Sequence, residues 1–411
     1  MKPEPRPVAI GSIQVLCVVA VMTPPVSLFA GLAVAPLFLV LALALIALNW
    51  RWISIRGTSP LALILAAIGI WGLVSTLWTP ASPLQGMETG LGSLVLAALA
   101  LAALATVKDL AAPDRHRVGI ALAVGVALSS ALLLFESQSS YAIARAITIW
   151  RHGVEPNQHM LQAMESRGAV VLLLLLWPAL AAPIHPIGRT LLFGLAVSAL
   201  LSEGKHASVV ALCAGCVVAG LVWLAPRWGL NILRSGAVIL VLAMPAIDYM
   251  LPSNAELEQG TLINSARHRV VIWRFTIDRW VEHPIWGWGI DASRVIPGGN
   301  ESTVIVVGTQ NLHYQNLPLH PHNGPLQMWL ELGLPGALLL AALLWTATTS
   351  LLVSRRSHPA MVLGAAIIAC ALTVGTMSFG IWQGWWQSAL WLTTLAFAAS
   401  PLGALRDTDH A

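Results

Sequence analysis

The sequence predicts an all-α integral membrane protein with about twelve transmembrane helices, on three observations. Of its 411 residues, 57% are hydrophobic and 10% charged, against about 25% charged in a soluble domain. Apolar runs of ~20 residues recur along the whole chain, each able to cross a ~30 Å hydrocarbon layer as a helix. Charge gathers between the runs, and backbone groups in lipid must be satisfied internally, which favours helices over an open sheet.

In order, the runs cover 8–23, 26–48, 60–78, 87–107, 118–136, 168–185, 189–202, 206–225, 232–250, 323–353, 359–380 and 386–403. Pro24-Pro25 separates the first two, and "APRWG" (225–229) and "SRRSHP" (354–359) are further breaks. The runs form a single polytopic membrane domain over 1–411, with 251–322 as one large loop within it. No internal repeat is visible. The short basic start leads through one apolar run straight into another without a small-residue cleavage site, so a cleavable leader is not expected.

Orientation follows from Lys and Arg in short loops. With both termini cytoplasmic, Lys2, Arg6, Arg51, Arg56, Lys108, Arg115, Arg117, Arg189, Arg227, Arg234, Arg355, Arg356 and Arg406 lie inside. The remaining cations, Arg145, Arg151, Arg167, Lys205, Arg267, Arg269, Arg274, Arg279 and Arg294, fall on the outer face within 137–167, 203–206 and 251–322. Topology does not need them, so they become candidates for function.

Several classes are disfavoured. The net charge of +4 is spread between runs rather than clustered, so no nucleic-acid partner is expected. There is no GxxxxGK[ST] loop, no HExxH and no GxSxG. Cys213 and Cys216 have CxxC spacing but sit in "VVALCAGCVVAG", where they read as small packing residues. "DTD" (407–409) reads as solvated tail charge.

Within the large loop, "NSARHRVVIWRFTIDRWVEHP" (264–284) has Val270, Val271, Trp273, Ile277, Trp280 and Val281 at helical spacing, which predicts an amphipathic helix on the membrane surface. Arg274 and Arg279 then read as headgroup contacts on its polar face. "IWGWGID" (285–291) reads as a tight turn with interfacial tryptophans, and 298–320 as loop with at most one short strand.

The chemistry converges on "HPHNGPLQMWLELGLPG" (320–336). Asn323 suits an N-cap and Pro325 the first turn, placing His322 at a helix N-terminus. The dipole there keeps an imidazole neutral, fit to act as a general base, and free N–H groups favour an anionic oxygen. Asn323, Gln327 and Glu331 share one face, either as interhelical hydrogen-bond partners or as functional groups. Gly333, Pro335 and Gly336 predict a kink. His320 reads as a loop histidine; with only His313 near as a third ligand, no metal is expected. Arg145 and Arg151 flank "AITIW", and arginines on one outer face suit a diphosphate through bidentate contacts.

These residues resemble the O-antigen ligase and Wzy-type polymerase superfamily. The resemblance lies in the His322-Asn323 pair, Leu326-Gln327 and then Glu331-Leu332-Gly333-x-x-Gly336. Before them come Arg269, Trp273 four residues later and Pro284-x-x-Gly287-x-Gly289. It covers about 260–340 directly and the hydropathy profile more loosely. It implies a metal-independent, inverting glycosyltransferase of the integral-membrane C-type class, without cofactor, in the bacterial inner membrane. The donor is then an undecaprenyl-diphosphate-linked glycan and the acceptor a hydroxyl on lipid A core or a growing polysaccharide, reached at the periplasmic face among membrane lipids. His322 matches the family's essential histidine and Arg269 its arginine. "LSEGKHAS" (201–208) falls where the family has Ser-x-Ser-Arg-Gly, placing Lys205 at the arginine and His206 at the glycine; lysine keeps the charge and loses the fork. "RHGVEPN" (151–157) loosely matches another family stretch, making Arg151 and Asn157 candidates. The expected catalytic residues are His322, Arg269 and Lys205. The expected substrate-binding residues are Arg151, Arg267, Asn323, Arg145, Asn157, Gln327 and Glu331. Ligase, repeat-unit polymerase and protein O-glycosyltransferase remain open on these signatures, and a membrane transporter is the alternative from another class, disfavoured by the absence of repeated halves.

Overall fold

A computed structural model of the chain describes residues 8–52, 59–204, 206–259, 262–353 and 356–403. Helices make up most of it: α1 (Ile10–Phe29), α2 (Val34–Asn49), α3 (Pro60–Ser75), α4 (Pro83–Val107), α5 (Ala112–Gln138), α6 (Ala142–His152), α7 (Gln158–Ala179) and α8 (Pro186–Ser202) come first. Then follow α9 (His206–Leu224), α10 (Pro226–Leu242), α11 (Asn254–Glu258), α12 (Asn264–Glu282), α13 (Gly324–Val353), α14 (His358–Met377) and α15 (Gly384–Ala399). Lys205, Lys2, Arg6, Arg56, Arg355, Arg406 and the DTD tail lie outside the described residues.

Each of the twelve predicted apolar runs falls on a helix. Among the described residues, however, eight helices are long and apolar enough to cross a membrane, nine if α10 and the 3-10 turn Met244–Met250, bent by 76°, make one span. α3 and α8 are apolar but shorter, at 16 and 17 residues, below the ~20 of a perpendicular crossing. The largest apolar core joins α1, α2, α4, α5, α7, α8, α9, α14 and α15. α7 sits in its midst: Ala169 to Leu176 are buried without a break, as expected for a helix apolar all round.

Pro24 and Pro25 do not divide two helices; both lie inside α1, and the break comes at Ala30 and Gly31. Each proline removes an N–H, so the carbonyls of Ala20 and Val21 lose their helical partners. Gly125 on α5 packs on those two oxygens: a Cβ there would come within 2.6 Å of Ala20 O and 2.7 Å of Val21 O. The Cα–H surface of glycine covers carbonyls that a larger residue would push away. Arg115, counted above as a topology signal, is buried and donates to the carbonyls of Val107, Lys108, Leu110, Ala398 and Ser400. Cys213 and Cys216 face outward instead of packing between helices.

The large loop departs from expectation in two ways. α12 forms where predicted, but much of its apolar side packs on protein, with Val281 at its end exposed. Val270 and Val271 pack with Leu257, Ile305 and Tyr314, Ile272 with Ile296, Leu317 and Leu330, and Ile277 with the start of α13. The Arg279 side chain pairs with Glu282 at 2.8 Å, and Arg274 donates to Pro252 O. The following segment is a two-stranded antiparallel hairpin, β1 (Ser302–Val307) with β2 (Gln310–Gln315), rather than one strand.

The kink predicted in α13 is a break at Gly333, whose φ of 61° and ψ of −155° are accessible to glycine alone. Any Cβ there would collide with Ile285 O. The freed carbonyls are taken up by the 285–291 turn and α3: Trp288 N–H donates to Leu330 O (2.8 Å), Gly289 N–H to Glu331 O (2.7 Å) and Trp71 Nε1–H to Leu332 O (3.0 Å). In return Leu334 N–H donates to Ile285 O at 3.0 Å.

The α1–α5 contact yields a prediction. Gly125→Ala is expected to destabilise the fold by about 1–3 kcal/mol through overpacking, measured as thermal unfolding in detergent. Gly194→Ala, where nothing lies within 4 Å, is expected to be neutral.

Candidate active site

The site forms where α12, the start of α13 and the end of α14 meet. Asn323 caps α13: Leu326 N–H donates to its Oδ1 at 3.0 Å, and its own amide reaches Met244 Sδ at 3.3 Å. His322 just before it adopts φ 54°. That left-handed conformation is held by a bond from His322 N–H to His320 Nδ1 at 3.1 Å. The His322 ring meets the backbone carbonyl of Ser378 at 2.6 Å through Nδ1. A carbonyl only accepts, so Nδ1 carries the proton and Nε2 of the neutral ring keeps its lone pair.

The two imidazoles are 4.3 Å apart between centroids. His320 is buried, and its Nε2 lies 3.2 Å from the Gln383 carboxamide. Burial, then His322 and Arg294, push its pKa down to about 3. Burial also lowers the pKa of His322; the Ser378 carbonyl opposes this, while Arg269 and His268 add to it. Both rings are therefore neutral at pH 7.

Arg269 is brought to this place by Trp273, one helical turn on, whose Nε1–H donates to Pro321 O at 3.0 Å. The guanidinium is half-buried, and no hydrogen bond or ion pair holds it among the described residues; its Nε is buried without a partner. Burial lowers its basicity. Arg294, placed on the outer face by sequence but given no role, lowers the His320 pKa and is held by Asp291 Oδ1 at 2.8 Å. Asp291 in turn accepts from Gln85 Nε2 at 2.7 Å.

The other candidates are placed differently. Glu331 is fully buried and accepts five hydrogen bonds. They come from Asp291 N–H (2.9 Å), Ser293 N–H (3.4 Å), Ser293 Oγ–H, Gln327 Nε2–H (3.0 Å) and Trp382 Nε1–H (2.6 Å). Gln327 also accepts from Ile381 N–H at 2.9 Å. Both side chains are committed to protein partners, so this face of α13 fastens loops. Arg267 is buried, donating to Asn264, Tyr314 and Leu262 O. Arg145 pairs with Glu155 at 3.1 Å, Arg151 is exposed, and Asn157 caps α7 by accepting from Met160 N–H at 2.9 Å. Among the described residues no hydrogen bond or ion pair joins these three to the His322 turn. The structure thus brings together His322, Asn323 and Arg269, while Lys205 lies outside the described residues.

An apolar cavity of about 420 Å³ begins at Gly324 and Pro325, beside this turn. It extends between α3, α4, α13, α14 and α15, past Met328 and Phe379 to Leu344 and Ala347.

Fold and site define a polytopic helical membrane protein with a histidine–arginine cluster at one end of its bundle. Residues 191–341 match the family model described as O-antigen ligase, in line with the resemblance to the O-antigen ligase/Wzy superfamily. The matched segment includes Arg269, His322 and Glu331. Three curated relatives, all provisionally named polysaccharide ligases, are similar to it. The Rickettsia conorii protein is 33% identical over 132 residues, 32% of this chain and 31% of that one. The Rickettsia prowazekii protein is 28% identical over 240 residues, 56% and 58% of the two chains. The Rickettsia typhi protein is 31% identical over 167 residues, 40% and 39%. The chain thus aligns with between 31% and 58% of the length of these relatives.

Glu331→Ala is expected to leave several buried donors without acceptors, each costing about 1–3 kcal/mol. The expected result is a loss of at least about 3 kcal/mol of stability, seen as a lowered unfolding midpoint and early proteolysis within 285–293.

Proposed function

We propose that the chain is a membrane glycosyltransferase moving a glycan from a lipid diphosphate, of the undecaprenyl type, to an acceptor hydroxyl at the periplasmic face of a bacterial inner membrane. The observation that carries this reading is the His322 Nδ1–H bond to Ser378 O at 2.6 Å, which leaves Nε2 as the only basic nitrogen of a half-buried neutral ring. His322 Nε2 takes the proton from the acceptor O–H as that oxygen bonds to the anomeric carbon. The bond from that carbon to the diphosphate oxygen breaks on the opposite side, inverting the configuration. The lipid diphosphate leaves with the electron pair, and its charge is met by Arg269, with Lys205 as a second cation. Arg269, unpartnered among the described residues, fits that task, since an anion offsets the cost of a half-buried guanidinium. The apolar cavity starting at Gly324 is suited to the carrier's hydrocarbon tail.

Purified protein in lipid nanodiscs, supplied with undecaprenyl-diphosphate-linked glycan, tests this. Transfer to added lipid A core identifies a ligase; longer lipid-linked chains without added acceptor identify a polymerase. His322→Ala is expected to lower the rate by about 10²–10⁴-fold without loss of folded protein. Full activity in that variant would sink the role of His322.

The rate also carries a pH signature. Only neutral His322 can accept a proton, and its pKa lies below the ordinary 6.5. The acid limb of the pH–rate profile is therefore expected below pH 6.5, with activity lost as pH falls through the lowered pKa. In Arg269→Gln the residual activity should show this limb moved upward, because one cationic neighbour is gone.

A further inference from the structure

The 285–291 turn forms one wall of a second cavity, of about 640 Å³, within the range of small-molecule sites. Trp71 and Trp78 from the end of α3 line it, opposite His283, Trp286 and Trp288. It lies away from His322. Trp71 bonds to Leu332 O, nine residues beyond Asn323, roughly 14 Å along a helix at 1.5 Å per residue.

Three of its indoles have their N–H groups tied to backbone: Trp71 to Leu332 O (3.0 Å), Trp78 to Gly287 O (3.2 Å) and Trp288 to Arg279 O (2.7 Å). Interfacial anchor tryptophans sit at headgroup level with the polar edge toward water. Here those edges are spent inside the protein, and the rings stand in fixed attitudes. Trp71 lies 5.6 Å from Trp78 and 5.8 Å from Trp286 between centroids, and His283 meets Trp288 edge-on at 4.6 Å. What the cavity offers is aromatic face, with Trp286 60% exposed. No Lys or Arg is among its lining residues, so nothing there balances a phosphate or an acidic headgroup. An aromatic face is electron-rich and meets weakly positive C–H groups. A pyranose has such a C–H face ringed by hydroxyls, and the His283 imidazole can exchange hydrogen bonds with that rim.

We propose that this cavity is a sugar-binding subsite, stacking a neutral pyranose of the glycan on Trp71, Trp78 and Trp286, apart from the ring undergoing transfer. The proposal rests on the glycosyltransferase reading above. The subsite grips the glycan beyond the bond being made, so it discriminates by sugar face and by chain length.

Calorimetric titration of the full chain in nanodiscs tests it. The probe is oligosaccharide released by mild acid from the host's lipid-linked glycan pool, free of lipid and diphosphate and so unable to react. Saturable binding is expected for wild type and His322→Ala, and also for Trp228→Ala, a 73% exposed tryptophan elsewhere. Trp286→Ala is expected to bind roughly tenfold more weakly with an unchanged unfolding midpoint. Equal affinity in wild type and Trp286→Ala, with glycan transfer intact, overturns the subsite alone. A wild type that neither transfers nor binds glycan overturns the glycosyltransferase reading with it. In nanodiscs of nitroxide-tailed phosphatidylcholine, broadening of a 5-fluorotryptophan signal assigned to position 286 that saturating oligosaccharide does not relieve would show acyl chains in the cavity and also overturn it.

Discussion

The hydrogen-bond hub at the Glu331 carboxyl group, set beside the backbone break at Gly333, holds this end of the bundle together. A regular helix would consume the carbonyls of Leu330, Glu331 and Leu332 internally. The break at Gly333 exposes them, and the 285–291 turn and Trp71 dock on them. The Glu331 side chain fastens the same turn from the other side and adds Trp382 and Gln327. Gln327 reaches Ile381 in turn. One short helical segment therefore secures the loop after α12, the end of α3 and the α14–α15 connection. Buried polar groups are costly unless each finds a partner, and here the partners lie in separate parts of the chain, so the network specifies one arrangement.

The same segment begins at the candidate base. His322 receives its geometry from three directions: the Asn323 cap below, His320 at its backbone N–H and the Ser378 carbonyl at Nδ1. Burial acts on the two histidines and on Arg269 with one sign, disfavouring charge. For the imidazoles this secures the neutral form. For the guanidinium, which keeps its proton regardless, burial without a counter-ion is a cost that an anionic ligand would relieve.

Much of this was legible in the chain. The apolar runs gave the helices, and the spacing of Asn323, Gln327 and Glu331 gave a shared polar face. The glycines and proline after Glu331 marked the break. Other parts were hidden for physical reasons. Pro24-Pro25 looked like a boundary because its tolerance depends on Gly125, a hundred residues away. The α12 stripe could not say whether lipid or protein covers it, since both are apolar. Ser378 contributes a backbone carbonyl, which any residue would supply, so no side chain announces it. The α6 cations matched a pattern of charge, yet Arg145 pairs locally with Glu155. Spacing left two readings of Glu331 open, chemical and structural; in the structure its carboxylate accepts five hydrogen bonds from protein groups.

The break at Gly333 also separates what can vary from what cannot. The exposed carbonyls are met by the N–H groups of Trp288 and Gly289 and by one indole of α3, and the Glu331 side chain by further backbone amides. Main-chain amides do not depend on the side chain that accompanies them. Exposed positions of the turn such as Ile285 and Trp286 can therefore be exchanged while the frame that aims His322 stays in register. This end of the bundle is built as a fixed chassis with an interchangeable rim, an arrangement that lets selection retune what the rim touches without rebuilding what the chassis holds.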